Sequence, residues 1–214
     1  MTYSRETGGE FDRDSWDRRW SQALREGAHG VAQRPPNAHL LAEVANLRPG
    51  RALDAGAGHC AETLWLASRG WRVAAVDFST TILEHARSRA EGLGADVAAR
   101  IEWIAADLAT WIPPPERYDL VACLYVHVAG SVPTMVRQLA AGVTTGGTLL
   151  LVGHQPIDPM TGEPTRAAGQ VQVSVDITLA ALEPDRWQVV VAEDRPREVA
   201  GSGVDAVVHA RRLA

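Results

Sequence analysis

Apolar residues along the chain fall into two rhythms, short continuous runs of strand length and longer stretches at helical spacing, and the two alternate. Runs ending at Asp54 and at Asp77, then Arg100 to Ala105, Leu120 to Leu124, Thr148 to Val152, Trp187 to Ala192 and Val204 to Ala210, predict strands. Between them lie a helix through Leu64, Leu66 and Ala67 that stops at Gly70, and one capped by Ser79 that ends near Gly92 or Gly94. Ser131 to Ala141 and Asp176 to Leu182 read as further helices. Upstream, Ser15 can cap a helix carrying Trp16, Trp20 and Leu24 on one face, and Asn37 can cap another that runs to about Leu47. Strands alternating with helices predict a mostly parallel sheet covered on both faces. The last two strands are separated by DRPREVAGSG, too short for a crossover helix, so they are expected to pair antiparallel.

The centre of this pattern is RALDAGAGHCAETLWLASRGWRVAAVDFS, Arg51 to Ser79. It is a strand-helix-strand unit with a glycine turn after the first strand and a carboxylate closing the second. Gly56 and Gly58 let bare main chain approach a ligand, and Asp77 stands where an acid accepts hydrogen bonds from ribose hydroxyls. A dinucleotide fingerprint would ask for a third glycine where the chain has Ala61, a modest departure because alanine is sometimes accepted there. Asp54 is the more telling residue. A carboxylate at that strand tip repels a pyrophosphate and suits a ligand with an ammonium group.

Composition narrows the setting. A chain of 214 residues suits one substantial domain. A net charge of -5 gives no general attraction to a phosphate backbone, so nucleic acid is not expected as a partner. No apolar run is long enough for a bilayer span and no secretory h-region is seen, so no membrane partner and a cytoplasmic location are the expectations. Cys60 and Cys123 have no metal-type spacing and read as packing residues, with no metal expected.

Asp54, Gly56 and Gly58 resemble the D-x-G-x-G-x-G motif of class I S-adenosylmethionine-dependent methyltransferases, with Cys60 at the usual third glycine. The resemblance implies a Rossmann-like sheet of seven strands with an antiparallel C-terminal hairpin, and S-adenosylmethionine as cofactor. It implies that the turn of Gly56, Ala57 and Gly58 cradles the methionine part, that Asp77 takes the ribose with Phe78 beside it in the cofactor site, and that Asp107 bonds the adenine while Ala106 and Leu108 pack on its ring. Asp107 reads equally as a cap or turn residue. Leu124, Tyr125 and His127, at and beyond the carboxyl end of the fourth strand where open parallel sheets bind ligands, are expected to face the sulfonium or the acceptor. The Trp16 and Trp20 pair resembles the thiopurine and tellurite-resistance branch, where this segment covers the cofactor. Residues 1–48 are therefore read as a helical lid segment and 49–214 as the methyltransferase domain, packing against the core being the other reading of the tryptophans.

No triad, metal cluster or distinctive carboxylate pair is visible, which fits methyl transfer, where alignment matters most. The sequence LYVHV after the fourth strand replaces the N-P-P-[YFW] type motif of many family members that methylate amines in nucleic acid or protein. A small-molecule acceptor is therefore expected: a thiol, a thiopurine-like compound, a metalloid or another small nucleophile. His127 and His154 are the candidate bases if the acceptor loses a proton, and structural histidines are the other reading. A loop carrying His154, Asp158 and Glu163 follows the fifth strand; His29 and Arg34 lie in an earlier loop read as solvated. The competing functions are an NAD(P)-dependent oxidoreductase and a non-catalytic S-adenosylmethionine-binding protein.

Overall fold

The computed structural model describes residues 17, 18, 20–22, 34–127, 130–158, 162–164, 172–196 and 203–214. In it, β1 (Arg51–Ala55), β2 (Arg72–Asp77), β3 (Ile101–Ala105), β4 (Tyr118–Leu124), β5 (Val143–His154), β6 (Trp187–Pro196) and β7 (Val204–Arg212) form one seven-stranded sheet, in the order β3-β2-β1-β4-β5-β7-β6. The pairs among β1 to β5 are parallel, whereas β7 runs antiparallel to both β5 and β6. The reversed terminal hairpin expected from the short 194–203 connection is present. β1 and β2 are buried along nearly their whole length, as parallel strands covered on both faces must be.

The helices are α1 (Ala38–Val44), α2 (Ala61–Ser68), α3 (Thr80–Leu93), α4 (Ala95–Ala98), α5 (Val132–Ala141) and α6 (Val175–Ala181). Two begin at the caps read from sequence, and a third is capped by Ser131, expected as the first residue of its helix. Asn37 accepts from the His39 and Leu40 amides, Ser79 from Ile82, and Ser131 from Thr134. Successive strand residues feed opposite layers. Ala52 joins Leu40, Val44, Leu66 and Leu83 on one face of the sheet, and Leu53 joins Val76, Val136 and Leu139 on the other. Leu40 and Val44 are fully buried, so α1 is anchored in the main core.

Two differences from the sequence reading have local causes. β5 starts earlier than the expected Thr148: Gly146 has φ +76°, and the strand continues back to Val143 with a register shift against β4. Gly94, at φ +135°, lets the chain end α3 and restart at once as the short α4. Residues 17, 18 and 20–22 are helical, but Ser15, Trp16 and Leu24 lie outside the described residues. No helix among the described residues is long and apolar enough to cross a membrane.

Candidate active site

At the carboxyl ends of β1 to β5 lies a cavity of about 620 Å³. Open parallel sheets bind ligands at this edge because helix starts and loops converge there. The residues singled out in sequence meet here. Asp54, Gly56, Ala57 and Gly58 line it from the first turn, Asp77 and Phe78 from the second, and Ala106, Asp107 and Leu108 from the third. Leu124, Tyr125 and His127 reach it after β4, His154 at the end of β5, and Trp20 from the N-terminal helical segment. Trp16 and His29 are outside the described residues. Asp158 and Glu163 do not line the cavity, whereas Arg34, read as solvated, lies at its wall while remaining exposed.

The glycine turn is held tightly. The Gly56 and Ala57 amides both donate to the Val76 carbonyl at 2.8 and 2.9 Å. Gly56 has φ +78°, and a Cβ placed on it would fall 2.2 Å from Val126 Cγ2. At Gly58, φ +49°, a Cβ would stand 3.5 Å from Trp20 Cζ2, so the indole lies over this turn. Cys60 takes the backbone shape that a third glycine would adopt freely, φ 59° and ψ 26°, at the N-cap of α2. Its thiol is fully buried beside the Gly58 carbonyl, 3.3 Å away, and burial pushes its pKa well above the usual range. The departure from the motif therefore leaves the turn's conformation intact.

Three carboxyl groups share one wall. Asp54 is 2% exposed, and burial followed by the nearby Glu62 charge pushes its pKa up to about 7, against the bond it accepts from Thr63 Oγ1 at 2.5 Å. Burial also raises Glu62 and Asp77. The Asp77 oxygens accept from the Gly58 and Ser79 amides, both at 2.9 Å, so this side chain clamps the turn. An ionised carboxylate offers about four lone-pair positions, which leaves room for ligand hydroxyls as well. Glu62 Oε1 accepts from the Asn37 amide at 2.8 Å. Three desolvated acids close together favour a cation, because an ammonium group relieves their mutual repulsion.

Asp107 borders the cavity, and its Oδ1 accepts from the Ala109 amide at 2.8 Å as a turn residue does. His59, also on the wall, is pushed down to about 4 by burial and by the Arg34 and Arg89 charges, so it is neutral near pH 7. The N-terminal segment is tied down by Asp17, which accepts from Ser79 Oγ at 2.5 Å and from Thr81 Oγ1 at 3.3 Å.

On the opposite side, Tyr125 has φ 57°, a left-handed conformation that costs an aromatic residue about 1–3 kcal/mol. Its ring stacks on His154 with centroids 4.1 Å apart. Asn37, Glu62, His59 and the buried Asp205 behind His154 were not anticipated as site residues. Asp205 reaches the site only because β7 pairs with β5, a contact that no local pattern announces.

Residues 52–147, from β1 into β5, match the family model of a methyltransferase domain. No curated protein sequence matches the chain. Among solved structures, the fold is shared with the N-methyltransferase NodS of Bradyrhizobium japonicum WM9 in complex with S-adenosylhomocysteine, at 15% identity, covering 93% of this chain and 99% of that one, TM-score 0.67. It is shared with the 1,6-didemethyltoxoflavin-N1-methyltransferase of Burkholderia thailandensis, bound to its namesake compound and S-adenosylhomocysteine, at 18% identity, covering 100% and 94%, TM-score 0.64. The (4+2)-cyclase SpnF also has it, at 13% identity, covering 93% and 97%, TM-score 0.67. At these identities the likeness shows the fold alone, and the cyclase makes plain that the fold hosts more than one reaction.

Proposed function

We infer that this chain is a methyltransferase that takes its methyl group from S-adenosylmethionine and delivers it to a small-molecule acceptor. The enzyme class and the cofactor rest on the methyltransferase domain over residues 52–147, which contains the glycine turn and both acidic strand tips. One observation carries the reading to the site: Asp54, the Gly56 to Gly58 turn and Asp77 border a single cavity whose buried acids favour a cation.

These residues fit the cofactor's chemistry. Gly56 and Gly58 would lie against its methionine part, with Asp54 and Glu62 toward the ammonium group. Asp77 would take the ribose, and Phe78, Ala106 and Leu108, with Asp107, the adenine. When bound, S-adenosylmethionine supplies a methyl group already activated on a sulfonium. The chain's part is to hold the acceptor in line, exclude water and, where needed, remove a proton. Alignment alone can supply about 7–11 kcal/mol, so no elaborate constellation is required. His127 and His154 are the groups proposed to accept that proton.

The cavity volume of about 620 Å³ supports a small acceptor, since cofactor and acceptor must share it. The net charge of -5 weighs against nucleic acid. A thiol, thiopurine-like or metalloid acceptor is the finer reading; it rests on the tryptophan pair and its likeness to the thiopurine and tellurite-resistance branch. Trp20 over Gly58 supports a lid role for the N-terminal segment. Trp20→Ala is expected to weaken S-adenosylhomocysteine by about 3- to 10-fold, the value of one aromatic contact, in a calorimetric titration. An unchanged Kd would remove the lid.

The reaction is tested with methyl-labelled S-adenosylmethionine and a panel of thiols, thiopurines, selenite and tellurite, phenols and heterocyclic amines. Label appearing in one small acceptor is the expected result. Tight cofactor binding with no labelled product across the panel favours a non-catalytic binding protein.

A further inference from the structure

We propose that Asp205 is a positioning residue for general-base catalysis by His154, and that the acceptor is therefore one whose nucleophilic O, N or S atom gives up a proton on methylation. The proposal rests on the methyltransferase reading and specifies the acceptor's chemistry within it.

His154 ends β5 and stands opposite Asp205 in the antiparallel register with β7. Asp205 is fully buried, and its Oδ1 lies 2.9 Å from His154 Nδ1. Oδ2 accepts from the Tyr125 hydroxyl at 2.7 Å and stands 3.3 Å from His39 Nε2. Asn37 Nδ2 donates in turn to the Tyr125 oxygen at 3.0 Å. The imidazole is thus fixed twice, in its plane by the carboxylate and across its face by the stacked Tyr125 ring at 4.1 Å. With Asp205 ionised the carboxylate only accepts hydrogen bonds, which would put the proton on Nδ1 and the lone pair on Nε2. The same buried negative charge stabilises the imidazolium formed when Nε2 takes a proton. A network built only to join β5 to β7 has no need of a histidine that also lines the cavity, nor of a tyrosine held at φ 57° to stack on it.

In the step this arrangement serves, the acceptor heteroatom forms its bond to the methyl carbon as the carbon–sulfur bond breaks, its electron pair leaving with sulfur in S-adenosylhomocysteine. The proton of the acceptor passes to His154 Nε2 and is later released to water. No oxidant, reductant or metal enters the balance.

The test reads the tautomer directly. Long-range proton–nitrogen correlation spectra of the nitrogen-labelled protein with S-adenosylhomocysteine added should show neutral His154 protonated on Nδ1. In Asp205→Asn the amide donates toward Nδ1, and the proton should move to Nε2. With an acceptor found in the labelling panel, Asp205→Asn should lower kcat by about 10²- to 10⁴-fold with KM changed only a few-fold. In a His154→Gln background the same change should cost nothing further. A wild-type His154 protonated on Nε2 overturns the proposal and needs no variant to fold. So does an Asp205→Asn penalty that persists in the His154→Gln background, which is the mark of a purely structural tie. Absence of S-adenosylhomocysteine binding would instead sink the methyltransferase reading itself.

Discussion

Asp77→Ala is expected to weaken S-adenosylhomocysteine binding by roughly 10²- to 10⁴-fold. Each hydrogen bond to a charged group contributes about 1.5–3 kcal/mol, two ribose hydroxyls would use this carboxylate, and 1.4 kcal/mol is about tenfold in Kd. The same side chain holds the Gly58 and Ser79 amides, so its loss also loosens the turn and adds to the effect. Asp77→Asn keeps an acceptor for one of those amides and should lose less affinity while folding normally. Calorimetric titration of both variants, with circular dichroism to verify the fold, checks the ordering. Wild-type affinity in Asp77→Ala would remove the ribose role.

Asp54→Asn is expected to act in opposite directions on stability and on binding. The folded-state pKa of Asp54 is raised from 3.8 to about 7, so the folded protein holds this proton more tightly than the unfolded chain. The stability that Asp54 itself contributes is therefore fully present below pH 3.8 and is lost as pH rises toward about 7. At about 1.4 kcal/mol per pH decade over that interval, the cost of ionising Asp54 is roughly 4 kcal/mol. Without ligand, Asp54→Asn should melt several degrees above wild type at pH 8 and level with it near pH 4. Cofactor binding moves the other way. An ammonium group binds the ionised acid, so wild-type affinity should rise as pH approaches about 7. It should fall again only at more alkaline pH, as the ligand's amino-acid ammonium group loses its charge. Asp54→Asn should bind roughly 10- to 100-fold more weakly at pH 7.5, by an order-of-magnitude charged-pair estimate, and its rise toward pH 7 should flatten. Melting curves and titrations across pH 4 to 8.5 test both halves, and parallel behaviour of the two proteins contradicts them.

The features legible in the sequence are those set by neighbours along the chain. Asn37, Ser79 and Ser131 announce helix starts because a cap bonds amides two or three residues on. The buried runs of β1 and β2 and the acids that end them likewise depend on local pattern, and the short terminal connection dictated the antiparallel hairpin. Long-range register was not legible. Asp205 meets His39 from 166 residues away, and Glu62 meets the Asn37 backbone amide from 25 residues away. Neither carries a motif, since each is placed by sheet order and helix packing. Cys60 shows a different limit, for a residue type discloses only a preference, and a well-packed turn can hold a cysteine in a glycine's conformation.

The measurement that bears most directly on the account is a calorimetric titration of the wild-type protein at pH 7.5 with S-adenosylhomocysteine and, separately, with nicotinamide dinucleotides. One S-adenosylhomocysteine bound per chain, displaced by S-adenosylmethionine, with no heat from the dinucleotides, is the result predicted. Saturable binding of a dinucleotide with none of S-adenosylhomocysteine would contradict it.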